Sequence, residues 1–284
     1  KKTASNYICA FKHFKRFRGD QDIAIEDLTV GQMKDFQSYL IGEGLRMNTI
    51  SLYNRELRAV YNYALDEEII QMDKRPFRKS FTGQEKTRKR AVDGGVVKRL
   101  AILSLIDKEM LGFARDLFLF SIYMQGMPFI DMAYLKKEQV RNGCITYQRR
   151  KTNRQLRVKI HPQAQIIIDR YMVSDPGCPY LFPILYDPEK KTEREYSSAL
   201  RVYNKRLDSL SSLLELDEPL TSYVARHTWA SLARQCGTSD TVISEAMGHS
   251  HVGVTTIYLA SLDIGMVAMA NQRVITSLFR KRIP

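Results

Sequence analysis

The sequence predicts a mainly α-helical chain in two blocks, the second interrupted by a small β-hairpin. Three observations predict it. Apolar residues recur at helical spacing through most of the 284 residues. A basic run between residues 74 and 90 separates two such stretches. Only between residues 144 and 160 does the period shorten to that of strands. An apolar content of 44% is enough to build packed cores. The formal charge of +13 points to a polyanionic partner: DNA, RNA or an anionic membrane surface.

The first block, residues 1–80, reads as a bundle of three helices over residues 3–18, 29–43 and 48–66. Thr29 opens a run that places Met33, Phe36 and Leu40 near helical spacing, and Gly42 and Gly44 stop it. Asn48 and Thr49 are expected to cap the third helix, which carries Ile50, Tyr53, Leu57 and Val60 on one face. The basic run holds Lys74, Arg75, Arg78, Lys79, Lys86, Arg88, Lys89 and Arg90 against the single acid Glu85, and residues 81–90 are expected to link the blocks. Such a run is either a solvated linker or a strap along a phosphate backbone.

The second block, residues 91–284, is expected to form helices over residues 95–106, 109–124 and 130–137, then strands over 144–149 and 155–160 around a turn at 151–154. Pro162 suits the first turn of a helix through residue 171. Further helices are expected over residues 194–214, 221–236, 239–247 and 263–280. The leucines between residues 207 and 216 are too few for sustained heptads and read as core. The longest apolar stretch, residues 117–124, falls far short of the roughly 20 that span a bilayer. Cys9, Cys144, Cys178 and Cys236 form no C-x-x-C pair, which argues against a zinc site or a disulfide framework and suits a reducing cytoplasm. The chain opens in what reads as helix, as a piece cut from a longer protein does.

The chemistry concentrates between residues 223 and 258. Arg226 sits early in an expected helix, where a cationic fork can hold a phosphate. By itself, an arginine between apolar neighbours is more often salt-bridged or solvated. His249 follows Gly248 and precedes Gly253, a context that usually marks a turn histidine. Tyr258 lies nine residues after His249. Nine residues of one helix advance about 180°, so a break at Gly253 is needed to bring both into one cleft. Lys151, in the hairpin turn, is by itself an ordinary surface lysine.

Together, Arg226-His227, Gly248-His249 and Tyr258, at these gaps, resemble the tyrosine recombinase or phage integrase family, and the likeness covers nearly the whole chain. Residues 124–135 and 147–152 look like a branch found among Bacteroides-type integrases and invertases. The resemblance implies a small helical core-binding (SAM-like) domain followed by a mixed α+β catalytic domain. It implies a site-specific DNA recombinase: a tyrosine attacks the scissile phosphate, a 3′-phosphotyrosine keeps the bond energy, and a second 5′-hydroxyl reverses the step. No metal and no organic cofactor takes part.

The resemblance also assigns roles. Tyr258 matches the nucleophile, Arg226 the second arginine, His249 the residue that orients phosphate or tyrosine, and Lys151 the donor to the leaving 5′-oxygen. Two positions depart from the family. Tyr223 stands where a histidine is usual, and a phenol is a poor proton acceptor at neutral pH. Gln125 stands where the branch carries an arginine; the usual motif places that arginine three residues before Asp131, at Pro128. Losing one charged donor costs about 10²-fold or more in rate. Three explanations stand: an engineered low-activity variant, replacement by another arginine such as Arg115 or Arg154, or a relative that binds DNA without cutting it.

The expected partner is a double-stranded recombination site, gripped by Lys12, Lys15, Arg16, Arg46, Asn48 and Arg55 in the first block and Arg149, Arg150, Arg154 and His251 in the second. The last helix, residues 263–280, either packs on its own domain or docks on a neighbour. Docking would give a homotetramer on DNA, from a chain that can be a monomer when free. The bacterial cytoplasm, at the nucleoid, is the expected location. Competing readings are an architectural DNA-binding relative and a topoisomerase-like relaxing enzyme without site preference.

Overall fold

Helices form where the apolar spacing and the caps agree. In the computed structural model, which describes residues 2–19, 21–85, 90–187 and 189–249, the chain divides into two compact units, Lys1–Arg88 and Lys89–Pro284.

The first unit packs α1 (Lys2–Phe17), α2 (Val30–Gly42) and α3 (Met47–Asp66). Thr29 and Gln32 cap α2 reciprocally: Gln32 N donates to Thr29 Oγ1 at 3.2 Å, and Thr29 N donates to Gln32 Oε1 at 2.8 Å. Met33, Phe36 and Leu40 then bury fully against Phe14, Ile50 and Tyr61. Two expectations fail here. Helix α3 begins one residue before Asn48, with Arg46 as its cap residue. The Asn48 amide instead brackets Glu85, accepting from its N–H at 2.8 Å and donating to its carbonyl at 3.0 Å. Val60, placed on the apolar face, is exposed. Ser51 donates to the Gly83 carbonyl and Asn54 to that of Phe81, so residues 81–85 are fastened along α3.

The second unit is built around α5 (Glu109–Tyr123), most of whose residues are buried. Helices α4 (Gly94–Ile102), α7 (Pro162–Tyr171), α8 (Tyr196–Leu213) and α9 (Val224–Gln235) pack on it, and short α6 (Phe129–Ala133) packs on α8. Helix α10 (Asp240–Ala246) packs on α9. Strands β1 (Val140–Arg141), β2 (Cys144–Gln148) and β3 (Gln155–Lys159) form an antiparallel sheet in that order. Ile145 faces Val158 and Tyr147 faces Leu156, so the buried side alternates as the pleat requires. Strands β4 (Tyr186–Asp187) and β5 (Thr192–Glu193) form a second, two-stranded ribbon.

The expected helix over residues 130–137 is cut short. Leu135 gives its carbonyl to Leu181 N at 2.7 Å, and Lys136 pairs with Tyr180 as an isolated bridge. That tertiary pairing outcompetes a further helical turn. Helix α4 likewise ends at Ile102, because Leu103 is extended and Asp107 takes a left-handed φ of 63°. Leu207, Leu210 and Leu214 are core. His251, Tyr258 and the expected helix over residues 263–280 lie outside the described residues. Among the described residues, no helix is long and apolar enough to cross a membrane, and no cluster of side chains could hold a metal ion.

Candidate active site

Four pieces of the second unit meet at one spot: the turn after α5, the first turn of α9, the end of β2, and the segment after α10. Each is brought there for a local reason. Helix α5 ends in two successive left-handed residues, Gln125 (φ 59°) and Gly126 (φ 71°). A Cβ at Gly126 would lie 3.2 Å from Arg226 Cα, so only glycine lets this turn lie against α9. Gly248, with φ 65°, plays the same part on the other side: a Cβ there would meet Arg149 Cδ and Leu156 Cδ1 at 3.0 Å.

Arg226, the third residue of α9, is 2% exposed. Its Nη1 donates to the Gly126 carbonyl at 2.8 Å, and its Nη2 donates to the Met247 carbonyl. The same Nη2 lies 3.0 Å from His249 Nε2. A guanidinium can only donate, so Nε2 is the acceptor and the imidazole proton sits on Nδ1. His249 is 5% exposed. Its pKa is pushed down to about 4, first by burial and then by the charges of Arg226, Arg149 and Lys151. The imidazole is therefore neutral at pH 7.

Arg149, expected among the DNA-backbone contacts, is 5% exposed and belongs to this cluster. Its Nη1 donates to the Met247 carbonyl at 2.9 Å and to the Gly248 carbonyl at 3.3 Å. Its Nε lies 3.6 Å from Asp131 Oδ2. Its Nη2 makes no hydrogen bond with the described residues. Asp131 is 4% exposed and accepts the Arg150 backbone N–H at 3.0 Å. Burial raises its pKa, while the Arg150 N–H, Arg149 and Arg226 oppose that rise.

Two guanidiniums thus donate to one carbonyl oxygen, that of Met247, with one carboxylate beside them and a neutral imidazole between. Among the described residues, two cations and one carboxylate are gathered here. Buried guanidiniums held in place by backbone carbonyls keep their remaining N–H groups oriented, as recognition of an anion requires. A polar cleft of about 420 Å³ opens next to the cluster, lined by Asp131, Tyr134, Gln148, Arg149, Arg150 and Asn153. Lys151, in the turn between β2 and β3, is exposed and its ammonium has no partner among the described residues.

The other expected residues fall in varied places. Gln125 is half-buried in the turn beside the site. Tyr223 is exposed, and its ring meets that of His227 edge-on at 4.8 Å. Arg150 is exposed and lies over the Tyr134 ring at 3.8 Å. Arg154 donates to the His249 carbonyl at 3.1 Å. Arg115 is committed elsewhere, to Asp116 at 2.7 Å and to the Leu103 carbonyl at 2.7 Å. In the first unit Lys12, Lys15, Arg16, Arg46 and Arg55 are exposed and Asn48 is half-buried. The signal for Arg149 lay in the alternation of its strand: Ile145 and Tyr147 point inward, and Arg149 is next on the same side.

Comparison with known proteins follows the two units. Residues 1–81 match the model of the phage integrase SAM-like domain, and residues 99–263 match that of the phage integrase family. No curated protein matches the chain. Among solved structures, a lambda integrase dimer bound to a COC′ core site superposes with a TM-score of 0.69 at 15% identity, covering 93% of each chain. A lambda integrase tetramer bound to a Holliday junction gives 0.72 at 15% identity, covering 92% of this chain and 72% of that one. The Tn1549 transposon integrase with circular intermediate DNA gives 0.68 at 13% identity, covering 90% of this chain and 89% of that one.

Proposed function

The chain belongs to the phage integrase family, enzymes that cut and rejoin DNA at specific sites, and we propose that Tyr258, Lys151, Arg149, Arg226 and His249 carry its chemistry. The pair of buried guanidiniums converging on the Met247 carbonyl beside His249 carries this reading. A phosphodiester is the anion that such a pair fits, because charge builds on its non-bridging oxygens during displacement.

The Tyr258 oxygen bonds to phosphorus as the bond from phosphorus to the 5′-oxygen breaks. The phenolic proton is released to water, and the Lys151 ammonium gives a proton to the leaving oxygen. Arg226 and Arg149 stabilise the phosphoryl oxygens, and His249, beside Arg226, orients the phosphate or the tyrosine. The 3′-phosphotyrosine conserves the bond energy for a second 5′-hydroxyl to reverse the step. Arg149 supplies the charge that Gln125 lacks, because it is buried and shares the Met247 carbonyl with Arg226; Arg115 is turned to Asp116 and the Leu103 carbonyl, and Arg154 is exposed.

Double-stranded DNA is the substrate. The exposed cations of both units supply salt-sensitive grip, and assembly as a tetramer on two sites follows the lambda integrase precedent. The work belongs in the cytoplasm, at the nucleoid.

The test is a nicked suicide duplex carrying the recombination site. A denaturation-resistant adduct that disappears in Tyr258→Phe is expected. An adduct absent from the parent chain, or retained in Tyr258→Phe, would overturn the reading. An adduct that appears only in Gln125→Arg would show that Arg149 does not fill in.

A further inference from the structure

The turn that carries Lys151 is tied down on both sides of it. Within the turn, Arg149 N donates to the Arg154 carbonyl at 2.8 Å and Asn153 N to the Arg149 carbonyl at 2.8 Å. Asn153 takes a φ of 57° and gives its carbonyl to Gln148 Nε2 at 3.1 Å. These bonds close the loop on itself. Others lay it on the segment after α10: Thr152 Oγ1 donates to the Gly248 carbonyl at 3.2 Å, and Arg154 Nη1 donates to the His249 carbonyl at 3.1 Å. Arg154 is steadied in turn by Glu245, 3.8 Å from its Nη2. The absence of a Cβ at Gly248 lets the root of the hairpin approach this closely.

We infer that Thr152 and Arg154 are positioning residues: by clasping the Gly248–His249 backbone they set where the Lys151 ammonium stands relative to the phosphate site. A lysine on a four-carbon stem in an exposed turn samples a large volume. A proton donor must lie within hydrogen-bond reach of the atom that it protonates. Pinning Thr152, the next residue along, and Arg154 confines the root of that stem. It also ties the donor to the same segment that presents His249, so the two cannot drift apart independently. Lys151 already stands close enough to His249 for its charge to help depress the imidazole pKa.

The inference rests on Lys151 as proton donor, and one experiment separates the two claims. Single-turnover cleavage is measured on the suicide duplex with an ordinary phosphodiester and with sulfur in place of the bridging 5′-oxygen. A thiolate leaves without a proton, since a thiol pKa lies near 8.5, so loss of a general acid shows only on the oxygen substrate. Thr152→Val is expected to slow the oxygen substrate by about 10-fold or more, part of the roughly 10²–10⁴ that a general acid supplies. The sulfur substrate is expected to keep nearly its full rate. Thr152→Ser restores the hydroxyl and the rate. Arg154→Met, assayed at saturating protein so that DNA affinity drops out, is expected to behave as Thr152→Val does. Equal slowing of both substrates would mean a merely structural role, and no slowing would mean no role; either overturns the inference. Lys151→Ala is the reference. If it slows both substrates equally, the assignment of Lys151 fails and the clasp loses its purpose.

Discussion

Replacing Arg149 with methionine keeps most of the stem and removes the charge. The structure then loses two things of different kinds. Asp131 loses its partner at 3.6 Å and keeps the Arg150 N–H and the more distant Arg226. Breaking a buried pair from one side costs ~3–5 kcal/mol. The separation here exceeds a hydrogen bond, which favours the low end, about 3 kcal/mol. For a unit of this size that lowers Tm by roughly 6–12 °C. The proposed phosphate site loses one of its two guanidiniums, with an expected loss of ~10²–10³-fold in cleavage rate. The double variant Arg149→Met/Asp131→Asn separates the effects, because no unpaired carboxylate is then buried. Thermal unfolding and single-turnover cleavage of the suicide duplex are the assays. Most of the lost Tm is expected to return in the double variant while the rate stays low. A double variant that cleaves as fast as the parent chain would refute Arg149 as the second cation.

The depressed pKa of His249 predicts a pH effect. The unfolded imidazole titrates near 6.5 and the folded one near 4, so the unfolded chain binds more protons between those values. His249 therefore favours the folded state above pH 6.5, and that stability is lost as pH falls towards 4. Urea titrations of the parent chain and His249→Gln are expected to converge as pH falls through this window. Nitrogen-15 spectra at pH 7 are expected to show His249 neutral with its proton on Nδ1; a cationic ring would contradict the assignment. Gly248→Ala forces a left-handed φ on alanine and a 3.0 Å approach to Arg149 and Leu156. It is expected to cost ~2 kcal/mol or more in urea unfolding. Arg46→Gln or Lys12→Gln is expected to weaken DNA binding equally across sequences and to reduce the slope of log K against log salt by about 0.9, if each side chain neutralises one phosphate.

Much of this was legible in the sequence, for identifiable reasons. Helix α2 has strong spacing and a reciprocal Thr29–Gln32 cap, so its place is determined locally. The hairpin was found by its change of period, to within a residue at each strand's end. Ribbons of two residues, such as β4 and β5, carry no period and could not be read. Nor could the end of α6, which a carbonyl bonded to Leu181, 46 positions from Leu135, decides. Arg226 and His249 were named from their motif, but their hydrogen bond and the proton on Nδ1 depend on how the segment after α10 returns to α9. Arg149 shows the limit most clearly. Its charge suggested a surface contact, whereas strand alternation placed it inside, and alternation describes the physical constraint.

The uncharged Gln125 need not leave the phosphate site one charge short. What a phosphoryl group requires is donors of the right sign at its oxygens, whichever strand or helix supplies them. Gln125 sits on a left-handed turn whose next residue, Gly126, already gives its carbonyl to Arg226. An arginine there would add a third guanidinium to a cluster that has one buried carboxylate among the described residues. Arg149 reaches the Met247 carbonyl beside Arg226 from β2, and its own partner, Asp131, stands near the start of α6 just beyond that turn. On the proposed roles the second cation comes from β2 instead of the turn after α5, and it meets Arg226 and His249 around the Met247 carbonyl. A route from β2 also has a consequence that a route from α5 would lack. Arg149 lies two positions from Lys151, so the proposed phosphate clamp and the proposed proton donor would share one hairpin and one clasp.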